Sequence, residues 1–201
     1  MGIQDSRTVV LVAVLGALGN ILSGLSIFSA PLIPSIPFGS VSVSLALDLS
    51  HLSTFIGALI GGPMVGALTG FISGALAAYQ FGFAQGNIIT GVALPIGKAL
   101  TGITAGLLMT RLGLLRREGK PLLLVPTTVL AYVPEGLYTA FIFIVLFPAV
   151  YGLPLSVVYL ITAQILVKAF FEMLVLGIVV AALLSNRAFQ NFARSITSGA
   201  R

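Results

Sequence analysis

Six ionisable side chains stand inside apolar stretches of this sequence: Asp48 and His51, Lys98, Glu135, and Lys168 with Glu172. A charge at the middle of a membrane helix costs about 2.5–3.5 kcal/mol on insertion scales, so residues of this kind turn toward the interior of a bundle. Gln164, Lys168 and Glu172 follow at four-residue spacing and fall on one helix face, and Asp48 and His51, three apart, share another. Two chemistries suit such a set. One is structural ion pairing, Lys168 with Glu172 and Asp48 with Lys98. The other is a polar pocket for a hydrophilic ligand, favoured by the spread of the charges over four different helices. Asp48, near the start of its stretch, can also reach the membrane interface. Tyr138 and Tyr132 flank Glu135, placed either to stack on an aromatic ligand or to anchor at the interface. Asn87, with Gln85, sits in a polar connection at the mouth of such a pocket. The candidate ligand set is therefore Asp48, His51, Asn87, Lys98, Glu135, Tyr138, Gln164, Lys168 and Glu172.

The inventory of catalytic parts is short. There is no cysteine and a single histidine, which removes thiolate sites and any multi-histidine metal centre. The stretch from Gly91 to Lys98 resembles a phosphate-binding loop only superficially, with five residues between its glycines where four are needed and Ala99 in place of the hydroxyl residue. No Gly-x-Ser-x-Gly nucleophile elbow occurs. No enzyme activity, cofactor or metal is expected, and no motif for ATP hydrolysis is present.

The elements that must hold these residues are membrane helices. The chain has 201 residues, of which 58% are hydrophobic and 7% charged, with mean hydropathy +1.13. Soluble domains carry roughly 25% charged residues. Apolar runs of crossing length are predicted at 8–28, 41–60, 64–79, 87–110, 122–147 and 155–184, leaving no room for a separate soluble domain. The first run is too long for the apolar part of a usual signal peptide, so it reads as a retained helix. Pro31, Pro34 and Pro37, at every third residue, suit an extended connection. Gly61-Gly62-Pro63 divides 41–79 into two crossings, since glycine permits a tight turn and proline starts a helix.

Charge placement tests that division. Arg7, then Arg111, Arg116, Arg117 and Lys120, then Arg187, Arg194 and Arg201 make eight of the ten basic residues, and with six crossings all eight fall on one side. The other three connections carry no charge. A single crossing over 41–79 would place the loop at 111–120 opposite Arg7. By the positive-inside rule the expectation is an all-α membrane protein with six transmembrane helices and both termini cytoplasmic. The net charge of +5 then reads as an orientation signal, with attraction to anionic lipid, rather than as a sign of nucleic-acid binding.

Small residues mark the first run: Ala13 and Ala17 lie one turn apart, with Gly16 and Gly19 beside them, a spacing that lets helices approach closely. These alanines, the stretch Leu47-Asp48-Leu49-Ser50 leading to Gly62-Pro63-Met64-Val65-Gly66, and the six-helix topology over about 200 residues together resemble the substrate-binding S components of energy-coupling-factor vitamin transporters. The 47–66 stretch looks like the second-to-third helix region of the riboflavin, folate and pantothenate type members. The resemblance implies a multi-pass protein of the cell membrane that captures a water-soluble vitamin or similar micronutrient from outside. It also implies partnership with a transmembrane coupling protein carrying two ATPase subunits, with Ala13 and Ala17 facing the coupling protein and the ligand held toward the outer side. Ligand residues differ among members and do not carry over by position. A self-sufficient small carrier or channel is the alternative.

Overall fold

The computed structural model describes residues 6–32, 35–38, 41–44, 47–115 and 121–198. Arg116, Arg117, Lys120 and Arg201, half of the basic residues that orient the chain, lie outside the described residues. The chain is a helical multi-pass membrane protein. Among the described residues five helical stretches are long and apolar enough to cross a membrane, 6–32, 50–85, 88–112, 121–151 and 155–185. Their outer faces carry large apolar side chains such as Val10, Ile21, Phe71, Leu137, Phe171 and Ile178. Helices apolar on every side need a hydrocarbon surround, because water would leave those faces unsolvated.

Helix α1 (Ser6–Ser29) ends in a short 3₁₀ turn, Ala30–Leu32. A two-stranded antiparallel hairpin follows, β1 (Ser35–Phe38) and β2 (Val41–Ser44). Here the structure corrects the expectation of a crossing from residue 41: Val41–Ser44 pairs as a strand with Pro37 opposite Ser42, and the helix starts at Ser50. The alternation Val-Ser-Val-Ser has the period of a strand, which a hydropathy average passes over.

Helix α2 (Ser50–Ser73) is two helical legs joined at Gly62, which has φ 79° and ψ −163°, a backbone region open in practice to glycine alone. The chain reverses there. Thr54 Oγ1 and Ser73 Oγ lie 3.4 Å apart, whereas 19 residues of straight helix would separate them by about 28 Å. Gly57 abuts Thr69 and Gly66 abuts Ala58 along the same paired legs. Helix α3 (Ala75–Phe81) continues the second leg after a joint at Gly74. At this joint the Asn20 carboxamide of α1 enters the helical ladder: its Nδ2 donates to Ile72 O (2.8 Å) and its Oδ1 accepts from Leu76 N (2.8 Å). One side chain thus satisfies both groups that a regular helix would have joined.

Helix α4 (Ile88–Leu112) packs against the second leg of α2 along a glycine seam. Gly66 faces Gly102, Gly70 faces Lys98 and Gly106 faces Pro63, so closely that a Cβ on Gly102 would stand 2.1 Å from the Gly66 carbonyl oxygen. Glycines 62, 66, 70 and 74 recur every four residues from the kink, along the second leg of α2, to the joint with α3. Helix α5 (Leu124–Phe141) runs through a π-helical turn, Ile142–Leu146, into α6 (Phe147–Tyr151), which stops at left-handed Gly152. Helix α7 (Leu155–Ser185), 31 residues or about 46 Å, is longer than the roughly 30 Å hydrocarbon layer. The amphipathic helix α8 (Arg187–Ser198) folds back with Ala193 fully buried and Phe189 against the core.

The core lies toward one end of the bundle. Phe55, Ala105, Met109, Leu124, Ala131, Met173, Leu176 and Val180 form its centre. The same four helices, followed to the other end, carry His51, Lys98, Glu135, Lys168 and Glu172, with Asp48 in the loop just ahead of α2.

Candidate functional site

That other end encloses a cavity of about 500 Å³. Because α2, α4 and α7 run into the core from this end while α5 runs from the core toward it, the polar positions precede the core residues in those three helices and follow them in α5. Asp48 and His51 come before Phe55, and Lys98 and Thr101 before Ala105; Glu135 comes after Ala131, and Lys168 and Glu172 before Met173. Seven of the nine candidate ligand residues line the cavity: Asp48, His51, Lys98, Glu135, Tyr138, Lys168 and Glu172.

Lys98 is fully enclosed, 2% exposed, and its Nζ donates to Asp48 Oδ2 (2.8 Å) and to Ser50 Oγ. Asp48 Oδ1 accepts from Ser50 N (3.0 Å), so the loop ahead of α2 is folded around this carboxylate. Burial alone would raise the Asp48 carboxyl. The neighbouring Lys98 and His51, with the hydrogen bonds from Lys98 and Ser50, outweigh burial and hold it well below the usual carboxylate range. Asp48 N in turn donates to Glu172 Oε1 (2.8 Å), which also faces Lys168 Nζ at 3.3 Å. On the far wall His51 Nε2 and Glu135 Oε2 are 3.1 Å apart, and Thr101 Oγ1 donates to the same oxygen. His51 meets Tyr132 edge-on, with ring centroids 6.4 Å apart.

Both ion pairs anticipated from the sequence are present, Asp48 with Lys98 and Lys168 with Glu172, and both sit in the cavity wall. Pairing and pocket formation are therefore two descriptions of one arrangement, since charges withdrawn from water need partners and can still present a face to a ligand.

Two candidates stand elsewhere. Asn87 caps α4, its Oδ1 accepting from Thr90 N (3.0 Å) and from the Tyr151 hydroxyl (3.0 Å); a capping asparagine has spent its acceptor on the helix end. Gln164 shares the α7 face of Lys168 but lies outside the cavity lining, and its Nε2 is buried without a partner. Ser50 and Thr101 are the polar participants the sequence reading passed over. Each lies within three residues of a charged one, Ser50 between Asp48 and His51 and Thr101 three after Lys98, and that spacing was the available signal. The rest of the lining is mainly apolar and aromatic, including Phe81, Tyr132 and Phe143, with the hydroxyls of Ser23, Ser26, Thr90 and Thr139 among them, the usual make-up of a small-molecule site with a few placed polar groups.

Ala13 and Ala17 both lie on the exposed face of α1, turned away from the bundle. No protein-family model matches the chain, and comparisons with curated proteins and with solved structures find no match.

Proposed function

We propose that this chain is the membrane-embedded binding subunit of an energy-coupling-factor type uptake system, capturing a water-soluble vitamin or related micronutrient for transport driven by partner ATPases. The observation that carries this reading is the cavity itself: about 500 Å³, walled by charged residues from four helices, at one end of a bundle whose other end is packed as an apolar core. The proposed orientation follows from charge. The reversal at Gly62 counts as an additional crossing and makes six, which puts Arg7, Arg111 and Arg187 on one side, the cytoplasmic one, and the cavity toward the outside. The exposed small residues Ala13 and Ala17 are the proposed contact with a transmembrane coupling protein, which would carry the two ATPase subunits.

Mass spectrometry of small molecules released from the gently purified protein tests ligand capture, and affinity purification from its native membrane tests partnership with ATPases. Replacing Ala13 and Ala17 by leucine is expected to leave ligand binding intact and abolish uptake. Concentrative uptake by the protein alone in liposomes would overturn the proposal in favour of a self-sufficient carrier.

A further inference from the structure

The hydrogen bonds of the cavity wall leave acceptors unused. Both Asp48 oxygens are occupied, by Lys98 and by Ser50 N. Glu135 takes His51 and Thr101 on Oε2 alone; among the described residues its Oε1 accepts nothing, although Glu135 is only 6% exposed. Gly97 stands opposite, where even a Cβ would come within 3.3 Å of that oxygen. Glu172 likewise uses Oε1 for Asp48 N and Lys168, and its Oε2 accepts nothing among the described residues. His51 Nδ1 is buried with no partner.

Both cationic donors of the wall are paired, and the other donors of the lining are neutral hydroxyls such as those of Thr90, Tyr138 and Thr139. Lys98 is committed to Asp48 and Ser50, and Lys168 already faces Glu172. Three carboxylates, two ammonium groups and the His51 ring share this wall. A carboxylate oxygen that faces a mainly apolar cavity gains most from a charged donor. The aromatic rings of Tyr132, Tyr138 and Phe143 on the same wall suit a flat cation, which is drawn to ring faces.

We infer that the cavity takes a ligand whose recognised end is a positively charged, donor-rich planar nitrogen group of the amidinium kind, seated against Glu135, and that it rejects ligands presenting a carboxylate there. This rests on the binding-subunit reading and narrows it to one charge class.

Three probes of one shape test it: benzamidine, benzamide and benzoate, titrated by ligand-observed NMR against the purified full-length protein. Benzamidine is expected to bind at least tenfold more tightly than benzoate, with benzamide between them. Glu135→Gln should weaken benzamidine at least tenfold while benzamide binding, which reports that the site is still folded, changes less than threefold; Glu172→Gln, a second variant, should weaken benzamidine in the same direction. Benzoate binding as tightly as benzamidine, or benzamidine affinity unchanged in Glu135→Gln, would overturn the charge class and leave the binding subunit standing. An endogenous ligand bearing a carboxylate and no basic nitrogen would do the same. Absence of binding by all three probes, with no small molecule released on denaturation, would overturn both.

Discussion

At the residue scale the informative contrast is between Lys98 and Lys168. Lys98 is sealed at 2% exposure against Asp48, whereas the Lys168 side chain is 33% exposed. Removing one member of a buried pair leaves the other charge uncompensated, at a cost of about 3–5 kcal/mol. Lys98→Met is therefore expected to lower the thermal stability of the purified protein by roughly that amount, and Asp48→Asn added to it should recover part of the loss. Equal melting temperatures for the single variant and the parent would show that Asp48 does not depend on Lys98. The charged members of the site were legible because an ionisable residue in an apolar run is rare and has few places to go. What one sequence did not show was which of two acceptors each polar group would find. Asn87 looked like a pocket residue, yet the cap of α4 and the Tyr151 hydroxyl hold its oxygen. The insertion of Asn20 at the joint between α2 and α3 was equally hidden, because its partners are backbone groups freed by a break that only the packing defines.

At the scale of elements, glycine decides the geometry. The Gly66 and Gly102 backbones touch, and a Cβ on Gly102 has the Gly66 carbonyl carbon at 2.4 Å as well as its oxygen, so no side-chain movement can make room. Gly86, at positive φ (69°), has nothing within 4 Å of its Cβ position. Gly86→Ala is expected to cost only backbone strain, about 1–2 kcal/mol. Gly102→Ala should cost more, because α2 and α4 must separate along the whole seam. Thermal melts of the two variants in the same detergent measure the difference, and a milder effect at Gly102 would contradict the close approach. The turn at Gly61-Gly62-Pro63 was readable from residue types alone. The seam was present in the sequence as a four-residue glycine repeat, but its partner helix was not, since spacing identifies a face and says nothing of what meets it.

Across the whole molecule, an apolar core and a charged cavity share the same four helices end to end, which gives the bundle a polarity along its axis. The proposed orientation can be tested cleanly because the chain has no cysteine. Ser6, Ala84 and Ala188 are all exposed, and single cysteines there are expected to report sidedness to a membrane-impermeant maleimide in intact cells: labelling at Ala84, none at Ser6 or Ala188 until the membrane is opened. Labelling of Ser6 and Ala188 from opposite sides would mean an odd number of crossings. One further constraint comes from the π-helical turn at Ile142–Leu146, which sits between Glu135 and Tyr138 on one side and Tyr151 on the other. Each residue advances an α-helix by about 100°, so shortening this turn by one position would restore a regular helix only by rotating one flank against the other. Either the carboxylate would leave the cavity or Tyr151 would leave Asn87. The segment can accordingly change its letters but not its count: insertions and deletions there are expected to be excluded even where substitutions are tolerated.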